Sequence, residues 1–315
     1  GLLLVAFLAL PIVALVARAV LGGAVAAEAG GSAVLDAVVL SLATTAASLG
    51  LAVALGTPLA YLLARRRIPG AAVVEASLDL PVVLPPAVAG LALLLLLGRQ
   101  GALGGALEAV GLRLPFTTAA VVLAQLFVAA PLYVRSARSG FAAVDRDAED
   151  AARVDGAGEW AVFREVTLAL ARPSLEAGMV MAWARALGEF GATIMFAGNV
   201  VGRTQTLPLL VYSAFQSSLD ASVVAAAILV VAAFGVLLAV RLVGERPGGG
   251  PRRGPRSLAG LRSVAVAAEA GGEPDGDGAE REPERDPDAA RDGRSTHAAA
   301  TAGEARRDGA LAPAG

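Results

Sequence analysis

The sequence predicts an all-α integral membrane protein, with six transmembrane helices and a disordered C-terminal tail. Three observations predict it. Mean hydropathy is +0.65 over 315 residues, yet the long apolar runs are confined to residues 1–243. Residues 244–315 are mostly Gly, Pro, Ala, Arg, Asp and Glu, with too little apolar surface to offset the entropy of ordering. Arginines cluster after alternate apolar runs, as cytoplasmic loops require. The net charge of −2 averages two unlike parts and says little about partners. The chain has no Cys, its single His is His297 in the tail, and every basic residue is Arg. Thiol chemistry, His/Cys metal centres, lysine Schiff bases and Ser-His-Asp catalysis are therefore excluded.

Residues 2–21 are long enough to cross ~30 Å of hydrocarbon at ~1.5 Å per residue. Residues 1–34 thus form a first span and an external loop. The small residues of ARAVLGGAVAAEA also fit a signal-peptide cleavage site, which would leave five spans. The second span covers residues 36–63, with Thr44, Thr45 and Ser48 able to bond to helix carbonyls. It ends at Arg65, Arg66 and Arg67, marking the cytoplasm. The third, residues 78–98, is kinked by Pro81, Pro85 and Pro86, each lacking a backbone donor. An external loop, 99–116, leads to the fourth span, 117–139, and to Arg135 and Arg138 on the cytoplasmic side. The fifth span runs from 174 to 196. An external segment, 197–219, has room for a short re-entrant or interfacial helix, and the sixth span is 223–243. Both termini are then cytoplasmic. The arginines early in the tail suit anionic headgroups; a spacer is the simplest role for the rest.

Residues 145–173, DRDAEDAARVDGAGEWAVFREVTLALARP, are the polar exception among these runs. Asp145, Asp147, Glu149 and Asp150 favour a helix N-terminus through the macrodipole. Ala148, Ala151 and Ala152 fall at i, i+3 and i+4, a face of methyl-sized side chains. Gly156 and Gly158 supply a left-handed stop. A second periodic run begins with Trp160, Phe163, Val166 and Leu170. Two short helices joined at a glycine elbow suit docking into a groove on another protein. A loop lying on headgroups is the alternative from the residues alone.

The stretch resembles the EAA loop of ABC-importer permeases: E-A-A, three residues, Gly, nine residues, I-x-L-P. The matching positions are Asp150, Ala151 and Ala152, then Gly156, then Val166 and Leu168. Asp replaces Glu, Val replaces Ile, and Ala169 stands where the pattern has Pro. The runs ALGEFGATIMFAGN (186–199) and GRTQTLPLLVY (202–212), with 81–98 and 115–135, are similar to the molybdate branch of that family. Sulfate and thiosulfate permeases share related GEFGA and GN segments, and tungstate is inseparable from molybdate by size and charge. The resemblance covers most of 35–243, taken as the permease core. It implies a six-helix permease bundle in the bacterial inner membrane, working as a homodimer. The partners implied are two ATP-binding-cassette ATPase subunits, a periplasmic or lipid-anchored molybdate-binding protein and membrane lipid, with no nucleic acid. ATP would be hydrolysed on the partner. This chain has no GxxxxGK[ST] cradle and is expected to bind no cofactor.

Two further groups of residues are candidates. Arg185 and Glu189, at i and i+4, carry charge at membrane depth, where charge normally faces a bundle interior or a water-filled path. With Gly188 and Gly191 they mark either a translocation path or gate, or a pair that fixes helix packing. Asn199, Arg203, Thr204, Gln205 and Thr206 offer donors on the external side. They suit an oxyanion or a contact with the binding protein. Outside the resemblance two other readings stand. One is an ion-coupled transporter using Glu189 as proton carrier, and the other a membrane scaffold recruiting a cytoplasmic protein.

Overall fold

The computed structural model describes residues 1–21, 31–65 and 69–244, with side chains as far as residue 238. The polar tail, His297, Arg66, Arg67 and the small residues at 22–30 lie outside the described residues. Twelve helices are present there, and no strand is found among the described residues.

The longest apolar runs become α1 (Leu2–Leu21), α2 (Ser32–Arg65), α6 (Thr118–Ala142) and α12 (Leu219–Gly244). These four are long and apolar enough to cross a membrane. Helices α3 (Ala71–Val83) and α4 (Pro86–Leu97) reach that length and apolarity together, but they meet at 119°. The kinked third span expected from the prolines is therefore a broken one. Leu84, preceding Pro85, is extended at φ −65° and ψ 137°, because a following proline ring disfavours the helical region. Pro86 then opens α4, where its missing N–H costs nothing. Pro11, Pro58, Pro81, Pro131 and Pro173 sit inside helices that continue past them.

After the short α5 (Gly104–Ala109) and α6 comes the elbow helix α7 (Arg146–Val154). Helix α8 (Glu159–Ala161) passes through a π-helical turn, Val162–Thr167, straight into α9 (Leu168–Leu187). The expected fifth span is shifted by this: its helix starts well before residue 174 and stops at Leu187. The rest of that span is a bend and α10 (Gly191–Phe196). Helix α9 carries Arg172, Glu176 and Arg185 and is not among the four apolar spans. The segment expected to be external contains α11 (Leu207–Ser217).

Helix α6 is the axis of the structure. Its C-terminal half, from Ala129 to Phe141, packs with Ala60 and Leu63 of α2 and with Ala171, Leu175, Ala182 and Ala186 of α9. Its other half, Ala120 to Val128, packs with Ala89 and Leu93 of α4 and with Ala192 and Phe196 of α10. Small residues set the spacing. A Cβ on Gly178 would lie 2.8 Å from the Ser136 Cβ, and one on Gly140 2.6 Å from the Ser174 Cβ. Ser136 donates to the Ser174 carbonyl across the same contact at 2.7 Å. Close backbone approach with a hydroxyl bridge is how helices associate where apolar burial gives no preference over lipid. Helix α1 packs chiefly on α12, and its Leu, Val and Phe side chains are largely exposed.

Candidate functional site

The elbow forms because its residues cap it. Asp145 accepts from the Asp147 amide at 3.0 Å, starting α7. Gly156 ends it at φ +92°, a conformation open to glycine and costly for β-branched residues. The Ala157 amide closes the turn on the Ala152 carbonyl at 3.0 Å. Gly158 has φ −68° and simply precedes α8, so the left-handed role falls to Gly156 alone.

Arg153 locks the bend from outside. It donates to Asp150 Oδ1 at 2.6 Å and, through Nε, to Glu159 Oε1 at 2.8 Å. The bond from Arg153 holds the Glu159 carboxyl below its ordinary range. A depressed carboxylate contributes its stabilisation above the ordinary value and loses it only as pH falls through the lowered one. The Arg153–Glu159 contact is thus lost only in acid, not near neutrality.

Asp150, Ala151 and Gly156 are exposed, as are Val154 (87%) and Trp160 (70%), while Ala152 is half-buried. Val166 and Leu168 are half-buried, and Leu168 packs against the α2–α6–α9 core. Trp160 stacks on Phe163 at 5.6 Å, Phe163 meets Tyr61 edge-on at 5.1 Å, and Tyr61 meets Phe141 at 5.5 Å. An aromatic chain therefore leads from the exposed elbow into α2 and α6.

The second site is the bend after α9. Arg185 Nη1 donates to Glu189 Oε2 at 2.5 Å, with Glu189 buried and a third of the Arg185 side chain exposed. The helix ends at Gly188, so the two are not on one continuous helix face as the i, i+4 spacing predicts. Glu189 instead reaches forward and accepts from the Ala192 amide at 2.7 Å, satisfying a donor of α10. One carboxylate thus joins the last turn of α9 to the first turn of α10. Gly191 allows α10 to press on α4: a Cβ there would lie 2.7 Å from the Pro86 Cβ. Gly188 has no comparable neighbour.

Of the five candidate donors at 199–206 only Arg203 is exposed; Thr204, Gln205 and Thr206 are buried and Asn199 is half-buried. Thr204 accepts from the Val200 amide at 2.9 Å, and Asn199 donates to Ser213 at 2.6 Å. These side chains build the turn, leaving Arg203 as the donor on the surface.

Sequence reasoning missed the partners of Glu149. Among the α7 residues it alone is buried, accepting on Oε1 from Arg65 Nη2 at 2.8 Å and from Thr167 Oγ1 at 2.5 Å. Arg65 and Glu149 lie 84 residues apart. The only signal was a fourth acid where the dipole argument needs fewer.

Comparison with known proteins gives the frame for this geometry. The family model described as binding-protein-dependent transport system inner membrane component matches residues 19–243. The chain belongs to this family. It is thus an inner membrane transport component rather than an enzyme, as the elbow's resemblance to importer permeases implied. A molybdenum transport system permease protein of Mycobacterium tuberculosis is 46% identical to this family member over 204 residues, 65% of this chain and 77% of that one. A sulfate transport system permease protein of Synechococcus elongatus is 38% identical over 181 residues, 58% of this chain and 63% of that one. Among solved structures, a bacterial alginate ABC transporter in complex with its pentasaccharide-bound periplasmic protein aligns with TM-score 0.58 and 15% identity. It covers 71% of this chain and 82% of that one, and shows the shared helical fold.

Proposed function

We propose that this chain is the permease subunit of an ATP-driven ABC importer carrying molybdate, and tungstate with it, into the cell. The observation that carries the coupling is the exposed α7 elbow: charged and apolar side chains stand out from a helix held between membrane segments. Asp150, Ala151, Ala152 and Gly156 form the face offered to an ATPase subunit, and Val166 and Leu168 tie it to α9. Two permease copies pair with two ATPase subunits, where ATP is bound and hydrolysed. A periplasmic or lipid-anchored binding protein delivers cargo to the face bearing Arg203. The broken helices α3–α4 and α9–α10 complete six spans with α1, α2, α6 and α12, both termini being cytoplasmic. Arg185, held by Glu189 at the α9–α10 bend between Gly188 and Gly191, lies at the path or its gate. An arginine with a third of its side chain free is suited to a tetrahedral dianion, and a pore site needs to bind only weakly.

Molybdate is preferred because the molybdenum permease relative is more similar than the sulfate one, 46% against 38%. The test is uptake of labelled molybdate by vesicles holding the chain, its ATPase and its binding protein. ATP-dependent uptake competed by tungstate but not by sulfate is expected. Competition by sulfate moves the chain to the sulfate branch with the mechanism intact, and uptake driven by a proton gradient without ATP refutes the mechanism.

A further inference from the structure

Helix α7 is exposed along most of its length, yet one side chain pins it. Glu149 is 7% exposed, and its partner Arg65 retains only 10% of its side-chain surface. A pair this buried is costly to form and more costly to break, because the remaining charge is left without compensation. The same carboxylate oxygen accepts from Thr167, which is itself buried and closes the π-helical turn. One oxygen thus joins three elements: the elbow helix, the last residue of α2, and the junction of α8 with α9. The link is reinforced one turn earlier. Tyr61 and Arg65 are i and i+4 on α2, so both face the elbow segment, and Tyr61 meets Phe163 of the π-helical turn. The pair is also incompletely bonded: Arg65 Nε is buried without an acceptor. Side-on bidentate pairing, using Nε as well as Nη2, is the stronger arrangement open to an arginine and a carboxylate.

We propose that Glu149 is the positioning residue of the elbow, passing displacement of α7 to α2 through Arg65 and to α9 through Thr167. This rests on the coupling role proposed above. Glu149 touches neither cargo nor nucleotide. It decides whether movement of α7 becomes movement of the membrane helices. Under this proposal the link has two arrangements, the sharing with Thr167 seen here and a side-on pairing with Arg65, and a partner bearing on α7 biases the choice.

The test uses the full chain with its ATPase and binding protein in vesicles, comparing Glu149→Gln, Thr167→Val and the exchange Arg65→Glu/Glu149→Arg. ATPase capture, ATP hydrolysis and molybdate uptake are measured separately. Capture and hydrolysis are expected within about twofold of the unmodified complex, since the exposed face of α7 is unchanged. Uptake per ATP hydrolysed should fall about tenfold in Glu149→Gln and about threefold in Thr167→Val, within the ordinary range of coupling between sites. The exchange should recover part of the loss, which a purely local packing role would not predict. Unchanged uptake per ATP in Glu149→Gln overturns the proposal. So does loss of ATPase capture in parallel with uptake. If Glu149→Gln fails to accumulate, Thr167→Val decides, because it leaves both charges in place. If the unmodified complex neither captures the ATPase nor takes up molybdate with ATP, the coupling role itself fails and takes this proposal with it.

Discussion

At the α9–α10 bend, one carboxylate serves two elements. Glu189 compensates Arg185 and satisfies an amide of α10. Glu189→Gln keeps an acceptor for the Ala192 amide while removing the charge opposite Arg185. Its cost should be about 1–3 kcal/mol, below the ~3–5 kcal/mol of a fully buried broken pair, because Arg185 reaches solvent in part. Under the proposed path, transport by this variant falls more than assembly does, measured by uptake against dimer yield in detergent. Loss of the dimer at unchanged expression would assign the pair to packing instead. The pairing itself was legible from the four-residue spacing. The capping of α10 was not, because the sequence does not announce that the helix stops at Gly188. Glu149 was less legible still: its partner is distant in the chain, and a single sequence carries no record of which charges meet.

Among the elements, the α6–α9 contact depends on missing side chains. In Gly178→Val the new Cβ would meet Ser136 at 2.8 Å and the Tyr133 carbonyl at 3.2 Å. The two helices must separate, at a cost of about 1–3 kcal/mol as in other overpacked interiors. The expected result is a lower melting temperature in detergent, with α7 and its partner capture intact in the protein that remains folded. Helix α6 was legible to within three residues, since Thr117 caps it, accepting from the Ala120 amide, and Gln125 is the one polar break in its apolar run before Arg135. The third and fifth spans were legible as apolar stretches but not as broken helices. Prolines at 81, 85 and 86 announce a disturbance. Only the backbone decides that Pro81 is absorbed within α3 while Leu84 and Pro85 turn the chain through 119°. The continuous run from Glu159 through the π-helical turn into α9 was hidden for a related reason: one extra residue in a helix leaves almost no compositional trace.

For the whole molecule, two kinds of surface divide the labour. The apolar faces of α1, α2 and α12 are exposed in the isolated chain, as a lipid-facing surface should be. The one strongly polar helix, α7, projects from the cytoplasmic side of the proposed orientation and is joined to the core by Glu149, Phe163 and Leu168. On this account, a partner's work enters at the elbow and leaves at the bend between α9 and α10. Cargo choice is not written in the exposed donors. It rests on relatives, because among the donors read from the external segment Thr204, Gln205 and Thr206 are buried and Arg203 is left on the surface. The central claim is that the elbow couples this chain to an ATP-hydrolysing partner, and Gly156→Val tests it most directly. Valine at φ +92° costs ~1–2 kcal/mol in backbone strain and reshapes the exposed turn, while the membrane helices are untouched. Vesicles should then hold the inserted chain at normal levels, with ATPase capture and ATP-dependent molybdate uptake both lost. Normal capture with normal uptake in that variant would contradict the account.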